Sequence, residues 1–391
     1  MRQIINHLQV RRRTQNDGHY FFGYYDKYPW DKSQRYLLAH KSEFMNRQPV
    51  GGDKAVIGMI DLSDNDRFIE LADTSAWCWQ QGSMLQWLPD SSTKIIYNDV
   101  EDGEFVARIF DVVDGKTETL CRPIYCLSPD GRYALSANFA RLDKERPGYG
   151  YAGVPDKFAG QPHSDQDGIW LIDLKQNSAE LVISLDQIVK MRNNKVMQNA
   201  PNWFNHLLFS PDGKRFIFIH RWRGGNGRFV THLYTANRDG SGIYPLNLDG
   251  ISSHFSWIDS NRIICYCHTA EAGFHYHEFT DRTPRFKIIG EDFFADPEGR
   301  RDGHCSYSND LRWMLTDTYP IYNQKRALLL VDLLDDLAYE IGRFYSPPDL
   351  IGPIRCDLHP NWSRDCKTVC IDSLHEGFRA IYTLDVESLT S

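Results

Sequence analysis

One short phrase recurs seven times along this sequence: an aromatic or leucine residue, a turn rich in Ser, Pro and Asp, and then a β-rich run. Its clearest forms are Leu127-Ser128-Pro129-Asp130-Gly131, leading into residues 132–137, and Phe209-Ser210-Pro211-Asp212-Gly213, leading into 216–220. Variants start at Tyr28, Trp87, Trp257, Tyr307 and Trp362 and lead into 35–40, 94–98, 262–268, 313–316 and 368–372. A second set of β-rich runs follows at 55–62, 107–113, 168–174, 232–236, 274–279, 327–333 and 380–386, most of them ending in Asp, Asn or Gly. Those residues tolerate left-handed backbone and suit hairpin turns. Strand, turn, strand, loop, strand, turn, strand is one four-stranded antiparallel unit. Seven such units predict an all-β protein, a seven-bladed β-propeller occupying residues 1–391 as one domain. The interval from 127 to 209 is too long for one unit, so an insertion at 138–167, rich in Gly, Pro and Tyr, is expected as a flap over one mouth of the ring. Helical periodicity is nearly absent, and residues 185–193 are the best candidate for a helix.

Composition narrows the partners. Charged residues make up 25% and the formal net charge is −8, which leaves no electrostatic footprint for nucleic acid. Arg11, Arg12 and Arg13 read as a solvated edge. No apolar run approaches the roughly 18 residues that cross a bilayer, and nothing near Met1 reads as a signal peptide. The nine cysteines are scattered, with no Cys-x-x-Cys pair, and are expected as reduced thiols of a cytoplasmic protein. Neither nucleic acid nor membrane is expected as a partner.

Three positions before each landmark stand Tyr25, Met84, Ile124, His206, His254, His304 and His359. Four successive blades therefore present histidine at one repeat position. In a closed ring this points four imidazoles at one axis, as a metal or catalytic centre requires; the alternative is that each histidine bonds a neighbouring blade. A second row, His40, Asn98, Asn138, His220, His268, Asp317 and Asp372, is expected further out on the rim. His220 is followed by Arg221-Trp222-Arg223. A histidine beside guanidinium groups suits proton abstraction next to a carboxylate; an exposed basic hairpin is the plainer reading. Arg355 near His359, Tyr319 after Asp317, His163 in the insertion and His19 at the head of an aromatic run are further candidates.

Through its Ser-Pro-Asp-Gly hairpins the chain resembles the TolB-like and oligogalacturonate-lyase-like propellers. The likeness is most specific at His206 with His220, at Ser253-His254-Phe255-Ser256-Trp257 and at Gly303-His304-Cys305-Ser306-Tyr307. Ulvan lyases and a lyase of rhamnose–glucuronate linkages have similar folds. The resemblance implies β-elimination: a base removes the proton next to a uronate carboxylate, and the 4-O-linked sugar leaves. It makes His220 similar to the family's base and His254 and His304 similar to ligands of its manganese. The family's Gln-x-x-His-x-His reads Arg301-x-x-His304-x-Ser306 here, so a pectate-type metal site is not intact; His206 and His359 would complete a different one, or the cluster binds sugar without metal.

The expected function is thus a lyase of uronate-containing polysaccharides or oligosaccharides with an acidic oligosaccharide as partner. His220, His206, Arg223 and Tyr319 are the expected catalytic residues. Arg221, Arg355, Tyr25, His19 and His163 are expected to bind substrate, and His254, His304 and His359 a divalent metal (manganese, calcium or zinc). Two alternatives stay open: a non-catalytic propeller that binds glycan or protein, and another carbohydrate-active enzyme of polysaccharide assembly. Hydrolysis would call on paired carboxylates, for which Asp317 and Asp372 are the candidates.

Overall fold

The computed structural model describes residues 2–5, 7–192, 194–290, 302–320 and 322–390. The strands form seven sheets, antiparallel but for one added strand, the blades of a seven-bladed β-propeller. Blades one to five each take four consecutive strands, beginning at His19–Phe21, Gln86–Trp87, Cys126–Leu127, Asn202–Phe209 and Ser252–Trp257. Blade six begins at Ser306–Tyr307 and carries Arg2–Ile4 as a fifth, parallel strand beside Leu337–Tyr345. Blade seven begins at Asn361–Trp362, and its outermost strand is Val10–Arg12, paired antiparallel with Ala380–Asp385. The N-terminal segment thus closes the ring by supplying the outermost strand of blade seven.

The recurring turn has a common hydrogen-bond scheme. In Ser128-Pro129-Asp130-Gly131 the serine Oγ donates to Asp130 at 2.5 Å, Arg132 N–H donates to the same carboxylate at 3.0 Å, and Tyr133 N–H donates back to the serine at 2.9 Å. The scheme recurs at Ser210/Asp212, Ser308/Asp310 and Ser363/Asp365. Side-chain and backbone groups satisfy one another within six residues, which is why the phrase repeats. Arginines after the turn pin the third strand: Arg35–Asp61 and Arg132–Asp173 at 2.6 Å, and Arg312–Asp332 at 2.5 Å. The landmark indoles tie neighbouring blades, Trp87 donating to the Pro29 carbonyl at 3.0 Å and Trp257 to that of Leu208 at 3.2 Å. Tyr28 departs from the expected pattern. It is 50% exposed, and buried Trp30 packs in its place.

Within the insertion, residues 139–145 form α1 (Phe139–Glu145), capped by the Asn138 side chain. Phe139 stacks on Tyr151 with centroids 4.4 Å apart, and buried Arg141 pairs with Asp156 at 3.1 Å and Asp167 at 3.4 Å. Gly150 is obligatory, because a Cβ there would stand 1.9 Å from the Asp143 amide. The segment is a small packed unit leaning on the ring. The expected helix at 185–193 is α2 (Leu185–Arg192). Among the described residues no helix is long and apolar enough to cross a membrane.

Candidate functional site

The histidine row meets at the axis. Ring centroids lie 6.4 Å apart for His206 and His254, 4.0 Å for His254 and His304, and 4.3 Å for His304 and His359. Tyr24 fills the centre, stacked on His206 at 5.3 Å and edge-on to His304 and His359 at 5.8 and 5.0 Å. The backbone makes this convergence possible. Met84, His206 and His359, at equivalent places in three blades, have φ of 58°, 52° and 41°. The pairing register also slips between Asn205 and Leu208 and between Ser252 and Phe255. A bulge breaks the strict alternation of a strand and re-aims the side chain it carries.

On the side of blades six and seven, one ligand atom from each of His304, Asp357 and His359 lies within 4.8 Å of the other two, and all three residues are buried. Nε2 of both imidazoles is buried without a hydrogen-bond partner. Nδ1 of His304 is 2.8 Å from Asp317, whose carboxylate also accepts the His304 backbone N–H at 2.8 Å. That bond fixes the tautomer and leaves Nε2 bare. Two imidazoles and a carboxylate, with a second carboxylate behind one imidazole, make a donor set suited to a borderline divalent ion. The residues fit such an ion. Burial lowers both histidines well below the ordinary imidazole value, so they are neutral and able to coordinate. Burial pushes the Asp357 carboxyl up, but Arg355 at 2.6 Å and Arg326 at 2.8 Å outweigh it and hold the group ionised.

On the opposite side lie His206, Arg221, Arg146 and Tyr149. The Tyr149 ring stands edge-on to His206 at 5.4 Å, and its hydroxyl accepts from Arg355 at 2.7 Å, joining the insertion to blade seven. The Tyr125 hydroxyl accepts the His206 backbone N–H at 2.9 Å and donates to Gln81 at 3.0 Å. Burial, reinforced by Arg221, lowers His206 well below its ordinary value.

Of the expected site residues, His206, His254, His304, His359, Arg221, Arg355 and Tyr319 stand around this cluster. The Tyr319 ring is 6.2 Å from that of His254, and Arg326 and Arg355 each lie 5.7 Å from its centroid. His254 is not in the compact ligand group; its Nδ1 is 2.9 Å from Asp302. Tyr25 is a wall residue, its hydroxyl bonded to both backbone groups of Phe255.

The other candidates lie elsewhere. His220, expected as the base, is fully buried, with Nε2 2.9 Å from the Asn202 side chain and its ring stacked on Trp222. Strand alternation explains this: Arg221 faces the cluster, so its neighbour faces the blade interior. Arg223 binds the Glu145 carbonyl at 2.9 Å and its carboxylate at 3.4 Å, holding down α1. His163 lies 3.2 Å from Asp186, and His19 sits in the innermost strand of blade one, paired with Ser42. The second row is not a rim. His40, Asn98 and Asp372 are buried pins that bond backbone groups of Ser83, Ile124, and Phe22 and Gly23 in adjacent blades. Asp317 supports His304 instead.

Asp357, Arg326, Arg146, Tyr149 and Tyr24 were missed. For Asp357 the signal was only its place two residues before His359, since the left-handed backbone at His359 breaks the alternation that would set both on one side. Arg301 lies outside the described residues.

No protein-family model matches this sequence, and no curated protein matches it. Solved structures do. An oligogalacturonate lyase from Vibrio parahaemolyticus superposes with a TM-score of 0.67 at 14% identity, over 97% of this chain and 94% of that one. A second oligogalacturonate lyase structure, in complex with manganese, gives a TM-score of 0.72 at 14% identity, over 98% and 95%. The propeller domain of the trilobed protease from Pyrococcus furiosus, described as having an open velcro topology, gives 0.51 at 12% identity, over 90% and 89%. At such identities the likeness establishes the architecture: this chain has the seven-bladed β-propeller fold seen in oligogalacturonate lyases.

Proposed function

We propose that this protein is a lyase that cleaves a 4-O-linked uronic acid residue in an acidic oligosaccharide by β-elimination. The observation that carries the reading is the placing of a neutral, buried imidazole, His206, across Tyr24 from the His304–Asp357–His359 group. The oligogalacturonate lyase likeness, and the manganese in one of those structures, support it.

Proton loss next to a carboxylate builds charge on a group that is already anionic. A divalent ion held by His304, Asp357 and His359 would supply the neutralising charge. Arg355, fixed between Asp357 and Tyr149, adds a guanidinium at the same place. His206 takes the proton. Nε2 of this imidazole accepts no hydrogen bond from the described residues, and Nδ1 faces Tyr125 at 3.5 Å. Burial alone makes it a weak base, and the charge of a bound carboxylate raises its basicity when substrate arrives. Tyr319, whose phenol burial drives well above its ordinary value, keeps its proton and donates it to the leaving oxygen. The segment 138–167 covers this mouth, with Tyr149 as the residue that reaches in. Nine free cysteines, seven of them buried, support a reducing compartment, the cytoplasm.

The test is the mass of the products. Elimination of a uronate oligosaccharide should give two fragments whose masses sum to that of the substrate, one of them carrying a carbon–carbon double bond, since the bond breaks without added water. Fragments that together carry one additional water would mean hydrolysis and would remove the proposal.

A further inference from the structure

We propose that Arg146, on the inserted segment, and Arg221, on the second strand of blade four, form an anion subsite that takes the acidic group of a second sugar, next to the one that is cleaved. The sugar rests on the lyase reading; the anion does not.

Arg221 is only 4% exposed, yet its hydrogen bonds go to neutral oxygens, those of Thr231 at 3.1 Å and Asn205. No carboxylate of the described residues pairs with it or with Arg146. The contrast with other buried arginines is direct. Arg141 sits on Asp156 and Asp167, Arg215 on Asp281 and Arg326 on Asp357, while Arg379 is spent on backbone carbonyls and the Trp79 ring. Arg146 has no carboxylate partner among the described residues, and its Nε is buried with no hydrogen-bond partner, as are those of Arg326 and Arg379. Its guanidinium lies 4.6 Å from the Tyr149 centroid and 5.1 Å from that of Phe229, and Arg221 lies 5.0 Å from the same Phe229 ring.

Two like charges therefore share one aromatic ring, with no counter-charge among the described residues. Burial and the neighbouring Arg146 pull Arg221 down to about 10, the direction an incoming anion would reverse. Desolvating a guanidinium beside another is unfavourable unless an anion joins them. Paired planar forks accept a carboxylate or a sulfate ester bidentately, and both are acidic groups of polysaccharides. The subsite is distinct from the metal side, where Arg326 and Arg355 are already taken by Asp357. A ligand reaching both must carry two acidic groups, one on either side of Tyr24.

Inorganic sulfate is the first probe, titrated calorimetrically at constant ionic strength into manganese-loaded protein. The expected result is saturable one-to-one binding, weakened at least tenfold in Arg146→Met, as the loss of a charge-assisted bond implies. Arg146 is only partly buried, so circular dichroism of this variant should match the parent; Arg221→Lys, which keeps the charge and loses the fork, should bind at an intermediate level. Displacement of sulfate by galacturonate and by digalacturonate then reads the second sugar, the disaccharide acting at a concentration about tenfold lower. No saturable sulfate binding, or binding unchanged in folded Arg146→Met, would overturn the subsite. Equal displacement by the two sugars would overturn its assignment to a neighbouring residue. Sulfate binding that persists in a protein with no elimination activity would remove the lyase reading and leave the anion site standing.

Discussion

Asp317 holds His304 twice, accepting its backbone N–H and facing its Nδ1, both at 2.8 Å. The histidine thereby presents a bare Nε2 in a fixed direction. Asp317→Asn should lower affinity for manganese about 10- to 100-fold while the fold survives, because an amide cannot polarise the imidazole as a carboxylate does. Competition with a fluorescent chelator measures this. Unchanged affinity would mean that His304 is not a ligand.

The ligand group itself predicts a stoichiometry. Protein purified and dialysed against manganese should retain close to one equivalent, and His304→Ala and His359→Asn should each retain little. Asparagine is chosen at 359 because the φ of 41° there is one that Asn tolerates. Elemental analysis decides the matter. Full retention by both variants would place the metal elsewhere.

His206→Asn should reduce kcat by about 10²- to 10⁴-fold with little change in substrate binding, as expected for loss of a proton acceptor. The φ of 52° at this position makes Asn the least disruptive replacement. A rise in KM with kcat preserved would assign His206 to binding alone.

His220 predicts an effect on stability instead. Burial lowers its imidazole to about 3, from an ordinary value near 6.5. Below 6.5 the unfolded chain binds a proton that the folded chain excludes. Its contribution is therefore complete above 6.5 and is lost as pH falls toward 3, with a limiting slope of about 1.4 kcal/mol per pH unit. His220→Gln should lose less stability than the parent between pH 7 and 5 in urea titrations, with kcat within a factor of a few. A large fall in kcat with an unaltered stability profile would return the base role to His220.

The blades were legible because each turn solves a local problem. Ser128 and Asp130 need only residues within five positions to satisfy their bonds, so the scheme prints itself in the sequence. The histidine row was legible for the same reason, since a repeat position carries one direction relative to the axis. What could not be read was whatever depends on contact between distant segments. Arg146 and Tyr149 come from an insertion with no counterpart in the other blades, and their approach to Arg221, His206 and Arg355 exists only in the folded ring. Ring closure by Val10–Arg12 is similar, since three residues pairing with Ala380–Asp385 leave no local signature. His220 was read as the base from the guanidinium groups that follow it and from the resemblance, whereas the alternation of the strand turns Arg221 to the cluster and His220 toward Asn202.

The most direct measurement is the ultraviolet absorbance of a conjugated carbon–carbon double bond during incubation of manganese-loaded protein with a panel of 4-O-linked uronic acid oligosaccharides. A steady rise with at least one member, abolished by His206→Asn, is the predicted result. A flat trace across the whole panel from folded, metal-loaded protein would contradict β-elimination as the function of this propeller.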